Sequence, residues 1–170
     1  MAQLGRLSVS EFREREKFPV QFVLDNVRSA LNVGSVFRTA DAFAFAGVQL
    51  CGITAKPPHR EILKTAIGAT ESVNWQHWPT TLAAIEHLRS AGHRILAVEQ
   101  TDQPTLLHEF PISPSEKYAL VLGNEVKGVT PEVLKACDQA VEIPQFGTKH
   151  SLNVAVCAGV VGWAFLRAWL

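Results

Sequence analysis

Five short apolar runs recur along the chain, at 20–24 (VQFVL), 47–53 (GVQLCGI), 94–98 (RILAV), 118–122 (YALVL) and 140–143 (AVEI). They are rich in β-branched residues, are bounded mostly by polar or Gly/Pro positions, and alternate with segments of helical character. Near-continuous apolar strands belong in a sheet covered on both faces, so the alternation predicts an α/β fold with a mostly parallel sheet and helices on both sides. Helices are expected at 33–44, 81–91, 131–136 and 151–170. Thr80 or Thr81 is placed to cap the second, which Gly92 ends, and Thr130 precedes a proline suited to the first helical position. Ser151 is expected to cap the last helix. The stretches 55–78 and 100–115, the latter with three prolines, read as surface loops with little regular structure. At 170 residues the chain reads as one domain, 1–170, long enough for one core and too short for two full ones.

Composition narrows the function classes. With 47% hydrophobic and 19% charged residues, a disordered chain or a coiled coil is a poor fit. Sixteen Lys and Arg balance sixteen Asp and Glu, so a nucleic-acid partner would have to be met by a local basic patch. Cys51, Cys137 and Cys157 form neither a CxxC pair nor a Cys/His cluster, and no metal or disulfide framework is expected. The N-terminal stretch is charged and lacks the apolar core of a signal peptide, which points to a cytoplasmic setting. The segment 152–166 is almost wholly apolar, yet Asn153, Gly159 and Gly162 interrupt it and Arg167 follows it. A buried helix suits it better than a membrane span.

Three polar clusters sit at strand ends. The first follows the first strand and runs through Asn32-Val33-Gly34-Ser35-Val36-Phe37-Arg38-Thr39-Ala40. Asn32 is expected to open a helix, and the Arg38 guanidinium to reach toward the cleft at that helix's N-terminus, as a phosphate ligand or a structural ion pair. The second is Leu122-Gly123-Asn124-Glu125-Val126-Lys127-Gly128-Val129. Gly123 allows close backbone approach, Gly128 a tight turn, and Glu125 sets a carboxylate at the strand's carboxyl edge. It is neither GK[ST] nor GxGxxG, which counts against a generic nucleotide-phosphate loop and leaves an ordinary strand-to-helix turn as the plain alternative. The third runs from Ile143-Pro144 to Ser151-Leu152-Asn153. An amide at the first turn of an apolar helix must find a partner, in neighbouring backbone or in a ligand. Lys149 and His150 suit a phosphate contact or plain solvated surface.

In this order, the three clusters resemble motifs 1, 2 and 3 of the SpoU (TrmH-like) branch of the SPOUT RNA methyltransferases, over about residues 20–166. The resemblance implies a C-terminal deep trefoil knot whose backbone holds S-adenosylmethionine. It places Leu122, Gly123, Asn124, Gly128, Ile143, Pro144, Ser151 and Leu152 at the cofactor, flanked by Val98, Glu99 and Gln100. It implies a homodimer through the apolar C-terminal helix, and methyl transfer to a ribose 2′-hydroxyl of RNA with S-adenosylhomocysteine as product. Asn32, Arg38, Glu125, Ser151 and Asn153 match the motifs' polar positions and are the catalytic candidates. A hydroxyl is a poor nucleophile, so positioning and a proton acceptor must carry the reaction. A guanidinium is a reluctant base, and Arg38 is expected instead to orient phosphate and hydroxyl. RNA contacts are expected from Arg28, Arg38, Lys56, Arg60, Lys64 and Lys149, with Arg6, Arg13, Arg15 and Lys17 as further candidates. Small standalone relatives favour transfer RNA over ribosomal RNA. The alternatives are ribosomal RNA, including a resistance-type enzyme, or a knotted module that binds RNA or cofactor without methylating.

Overall fold

The computed structural model describes residues 7–149 and 151–170. After a short helix α1 (Val9–Glu14), strand β1 (Phe18–Asp25) leads to α2 (Ala30–Ala42), β2 (Phe45–Cys51), α3 (Arg60–Ala66), α4 (Ala69–Ser72) and β3 (Trp75–Trp78). The chain continues through α5 (Thr81–Ser90), β4 (His93–Val98), β5 (Thr105–Leu106), β6 (Lys117–Leu122), α6 (Pro131–Ala136) and β7 (Gln139–Glu142). It ends with α7 (Val154–Leu166) and a 3₁₀ turn at Arg167–Trp169. The seven strands form one sheet in the order β3-β2-β1-β6-β4-β7-β5, every neighbouring pair parallel.

The apolar runs are continuous because both faces of the sheet are covered. Val20, Phe22 and Leu24 of β1, with Tyr118, Leu120 and Leu122 of β6, pack on one face under α2 and α7. Val23, Ile95, Ala119 and Val121 point the other way, against Ala84, Ile85 and Leu88 of α5 and Val133 of α6. This is the period-2 alternation of a strand buried on both sides. On α7, Val154, Ala158, Val161, Phe165 and Leu166 repeat at helical spacing and are buried, whereas Val156, Val160 and Trp163 are exposed. Among the described residues no helix is long and apolar enough to cross a membrane.

Several local expectations need correction. The stretch 55–78 is not irregular: it holds α3, α4 and the edge strand β3. These elements depend on distant partners. Trp78 Nε1 donates to Gln49 Oε1 at 2.7 Å, and Gly34 lets α3 lie against α2, since a Cβ there would sit 2.1 Å from Thr65 Oγ1 and 2.4 Å from the Ile62 carbonyl oxygen. The 100–115 stretch contributes the two-residue strand β5. Ser29, not Asn32, caps α2, its hydroxyl accepting from Asn32 N–H at 3.3 Å. Asn153, not Ser151, caps α7, its Oδ1 accepting from Ala155 N–H at 2.9 Å and Val156 N–H at 3.3 Å. An asparagine is as good an N-cap as a serine, and two residues separate the candidates. Thr80 caps α5 and Thr130 occupies the cap position before Pro131 as expected.

Candidate functional site

The carboxyl ends of β4, β6 and β7 surround a cavity of about 600 Å³. This is where an open parallel sheet binds ligands, outside the strand ends near a reversal of strand order. Val98, Leu122, Ile143, Leu152, Val154 and Cys157 supply apolar wall, and Glu99, Glu142, Glu125, Asn124, Asn153 and Ser151 supply polar groups.

The loop 123–130 is folded onto itself and tied down at both ends. Asn124 and Gly128 exchange backbone hydrogen bonds at 3.0 and 2.8 Å, and Asn124 Oδ1 accepts from Val126 N–H at 2.9 Å and Lys127 N–H at 3.0 Å. Asn124 Nδ2 donates to the Asn26 carbonyl at 2.7 Å, while Glu99 Oε2 accepts from Val129 N–H at 2.9 Å. The buried Asp25 carboxylate accepts from the Thr81 hydroxyl at 2.5 Å and lies 3.4 Å from Thr130 N. Gly123 is obligatory: a Cβ there would fall 2.2 Å from both Gly128 C and Val129 N, backbone atoms with nowhere to go. Gly128 has φ +65°, and a Cβ there would meet Glu99 Oε2 at 2.3 Å.

A single chain of hydrogen bonds joins the three polar clusters. Glu125 Oε2 accepts from Arg28 N–H at 2.8 Å, and its Oε1 from Ser29 N–H at 2.9 Å and Asn32 Nδ2 at 3.1 Å. Asn32 Oδ1 in turn accepts from Asn153 Nδ2 at 3.1 Å. The carboxylate therefore satisfies N–H groups at the start of α2, where a negative charge is also favoured by the helix dipole. Partial burial raises the Glu125 pKa, but bonds from Arg28 and Ser29 N–H, its own backbone and Asn32 outweigh it, and the net shift is downward. Such a carboxylate is a holder of structure and a poor proton acceptor. Burial, with a smaller contribution from the Glu99 charge, pushes the Cys157 thiol up to about 11, so it lines the cavity as an apolar group.

Of the residues singled out from sequence, Val98, Glu99, Leu122, Gly123, Asn124, Gly128, Ile143, Ser151 and Leu152 all line this cavity, and Pro144 does not. Glu125, Ser151 and Asn153 line it, and Asn32 joins it through its two bonds. Arg38 is the correction. It is exposed and lines a second depression, of about 540 Å³, with Lys64, Thr65, Ile67 and Gly159. The reason is helical geometry: six residues beyond Asn32 is about 240° around and ~9 Å along the axis, so the two side chains leave different faces. Arg28, Lys56, Arg60, Lys64 and Lys149 are exposed, and none of them forms an ion pair among the described residues. Arg13 instead donates to the Glu71 carbonyl at 2.7 Å, and Lys17 to backbone carbonyls of Phe12 and Arg15. Arg6 and His150 lie outside the described residues.

Sequence reasoning passed over Val126, Lys127, Val129, Leu134, Glu142, Gln145, Val154 and Cys157, all on the cavity wall. Some carried a signal: Glu142 ends a strand, and Cys157 falls one helical turn after Asn153. The described residues hold no group of three or more His, Cys, Asp or Glu placed to share a metal ion.

Comparison with known proteins gives this geometry a setting. A 23S rRNA (guanosine-2′-O-)-methyltransferase, RlmB, of Neisseria meningitidis is 30% identical over 143 residues, which span 84% of this chain and 56% of that protein. The crystal structure of an AdoMet-bound rRNA methyltransferase from Sinorhizobium meliloti superimposes with a TM-score of 0.84 at 27% identity, over 94% of this chain and 60% of that one. A structure described as giving insight into the 2-OH methylation of C/U34 on tRNA matches with a TM-score of 0.78 at 25% identity, over 88% of this chain and 95% of that one. The chain thus spans little more than half of the two ribosomal-RNA relatives and nearly all of the third. The family model for the SpoU rRNA Methylase family matches residues 19–163, six-sevenths of the sequence, and the chain belongs to that family.

Proposed function

We propose that this protein transfers the methyl group of S-adenosylmethionine to a ribose 2′-hydroxyl of RNA, with transfer RNA as the preferred substrate. The observation that carries the reading is the bonded chain Glu125–Asn32–Asn153, which gathers all three motifs at the mouth of one cavity. The cavity suits the cofactor. Its volume is that of a small-molecule site, and the carboxylates of Glu99 and Glu142 on a wall of mixed polar and apolar groups match a ligand carrying sulfonium and ammonium charge. Val98, Leu122, Gly123, Ile143, Ser151 and Leu152 would hold it, within a C-terminal trefoil knot built by loop 123–130 and the passage from β7 into α7. When bound, it supplies an electrophilic methyl carbon to the ribose oxygen, which loses its proton as the bond forms.

The protein's share is positioning. Asn32 and Asn153 lock each other's amides, so the polar edge presented to a ribose is rigid, and Ser151 adds a hydroxyl two residues before the helix cap. Glu125 orients Asn32 and leaves proton acceptance to another group or to water. Arg38 and Lys64 share a separate depression whose wall includes Gly159 of α7, one turn from the exposed Val156 and Trp163. A homodimer through α7 covers that apolar face and lets Arg38 act on a site in the pair that it does not line in one chain. The preference for transfer RNA is supported by the fold match, at a TM-score of 0.78, to the structure described for 2-OH methylation of C/U34 on tRNA, and residues 1–170 are taken as one domain.

The test is methyl transfer from radiolabelled S-adenosylmethionine into unmodified transfer RNA and, separately, ribosomal RNA, with nuclease mapping of the product. Label as a 2′-O-methyl nucleotide in transfer RNA is the expected result. Label confined to ribosomal RNA overturns the substrate preference, and cofactor binding without label overturns catalysis in favour of a binding module.

A further inference from the structure

Two large apolar side chains stand in water on the two loops that contribute to the cavity wall. Phe146, on the loop from β7 to α7, is 97% exposed, and Val126, on the loop from β6 to α6, is 76% exposed. Val126 lies in the turn that Asn124 Oδ1 holds through Val126 N–H and Lys127 N–H, and it lines the cavity itself. Phe146 follows Gln145, which lines the same cavity from the other loop. The exposed cations Lys127 and Lys149 lie one and three residues from these two side chains. An exposed phenyl ring with lysines nearby in sequence, on a loop that helps wall a ribose-directed site, has the chemistry of a base-stacking platform: a nucleotide offers the π-face of its base to an aromatic and its phosphate to a lysine.

We propose that Phe146 stacks on an unpaired nucleobase of the RNA strand entering the site, with Val126 closing the opposite side of that base. The inference rests on the reading above, and it adds that the substrate nucleotide or its neighbour is presented unstacked, from a loop or single strand. A duplex holds its bases out of reach of such a ring. Because stacking accepts any base, Phe146 contributes affinity and an unpaired geometry, and leaves base identity to other contacts.

The experiment uses the full chain and whichever of unmodified transfer RNA or ribosomal RNA accepts label from the wild-type protein. Phe146→Ala, Phe146→Leu, Phe146→Tyr and Phe146→Trp are compared for kcat, KM for RNA, S-adenosylmethionine affinity by calorimetry, and oligomeric state. Stacking predicts that Phe146→Ala and Phe146→Leu raise KM for RNA about 5- to 150-fold, the range typical of base–aromatic stacks. Phe146→Tyr and Phe146→Trp should stay close to wild type, and cofactor affinity should be unchanged in all four. Wild-type KM in Phe146→Ala overturns the proposal, as does full rescue by leucine, which would make the ring mere apolar bulk. A parallel fall in cofactor affinity, or a change in oligomeric state, overturns it by assigning the ring to the cofactor cavity or to a copy-to-copy contact. If the wild-type protein labels no RNA at all, the methyl-transfer reading falls and this one with it, whereas an active wild type with an indifferent Phe146 removes only the stacking.

Discussion

The bonded chain through Asn32 makes an unusual demand, because the nearly isosteric replacement should be worse than truncation. Asn32 donates to a carboxylate on one side and accepts from an amide on the other, at 3.1 Å each. Asn32→Ala removes both bonds. With Asn32 half-buried and Glu125 exposed, the loss is about 1–2 kcal/mol, below the sum of about 2–4.5 kcal/mol for one neutral and one charge-assisted bond because water replaces part of what is lost. Asn32→Asp keeps the acceptor for Asn153 but turns the donor into an oxygen facing Glu125. Two unit charges at ~3 Å repel by about 1.3 kcal/mol in bulk water and about 5 kcal/mol at an effective dielectric of 20, and exposure of Glu125 selects a value near the lower limit. Added to the lost bond, the cost is about 2–3 kcal/mol. At about 2–4 °C per kcal/mol for a chain of this size, Asn32→Asp should unfold roughly 4–12 °C below wild type and below Asn32→Ala. The charge pair raises the pKa of its members, so its penalty is present at neutral pH and fades as pH falls and one carboxyl gains a proton. Thermal unfolding of the three proteins between pH 7.5 and 4, at low and high salt, measures this. An Asn32→Asp protein as stable as Asn32→Ala at pH 7.5, or one that gains nothing relative to it on acidification, would refute the argument.

Glu125→Gln should be destabilised at neutral pH, with the gap to wild type closing as acid removes the charge. The native Glu125 pKa is lowered, so its contribution is complete above the ordinary carboxylate range and is lost as pH falls through the native value, which pH-dependent melting curves report. Gly34→Ala drives a Cβ against the Thr65 hydroxyl and the Ile62 carbonyl and should cost about 1–3 kcal/mol by prying α3 from α2, measurable by urea denaturation. Phe165→Ala empties a fully buried position between Phe110 and Tyr118 and should cost about 3–5 kcal/mol in the same assay. If Arg38 acts on the partner's site, mixing inactive Arg38→Ala and Asn153→Ala chains should restore about a quarter of wild-type methyl transfer, since half the pairs are mixed and each carries one intact site. No recovery after subunit exchange would place Arg38 and Asn153 in the same site.

What was legible in the sequence was whatever a strand or helix states locally. The runs 94–98 and 118–122 each sit inside an observed strand, because a strand covered on both faces is apolar at nearly every position, Arg94 at the half-buried start of β4 excepted, and few other structures tolerate that. The strand Trp75–Trp78 was opaque for the opposite reason. Its residues are aromatic and polar, and its place at the sheet edge depends on Trp78 Nε1 reaching Gln49, 29 residues away, and on the His77 ring pairing with the Gly52 carbonyl at 3.1 Å. A window of ten residues contains neither partner. The expected reach of Arg38 toward the N-terminus of α2 is overturned by phase: naming a helix start at Asn32 does not say that a residue 240° further round leaves on another face, and the arithmetic does.

Glu125 shows the limit from the chemical side. A carboxylate at the end of a buried strand, in a loop between two glycines, has the sequence features of a general base, and nothing near it in the chain argues otherwise. Its partners, Arg28, Ser29 and Asn32, lie 93–97 residues earlier, brought close only because β1 and β6 are neighbours in the sheet. Once they are in place the acid's lone pairs are committed and its affinity for a proton falls. The same parallel pairing that builds the cavity therefore removes its most obvious base. On the proposed reading, the site's share in catalysis is to hold a ribose oxygen in line, a task suited to the bonded pair of amides, Asn32 and Asn153.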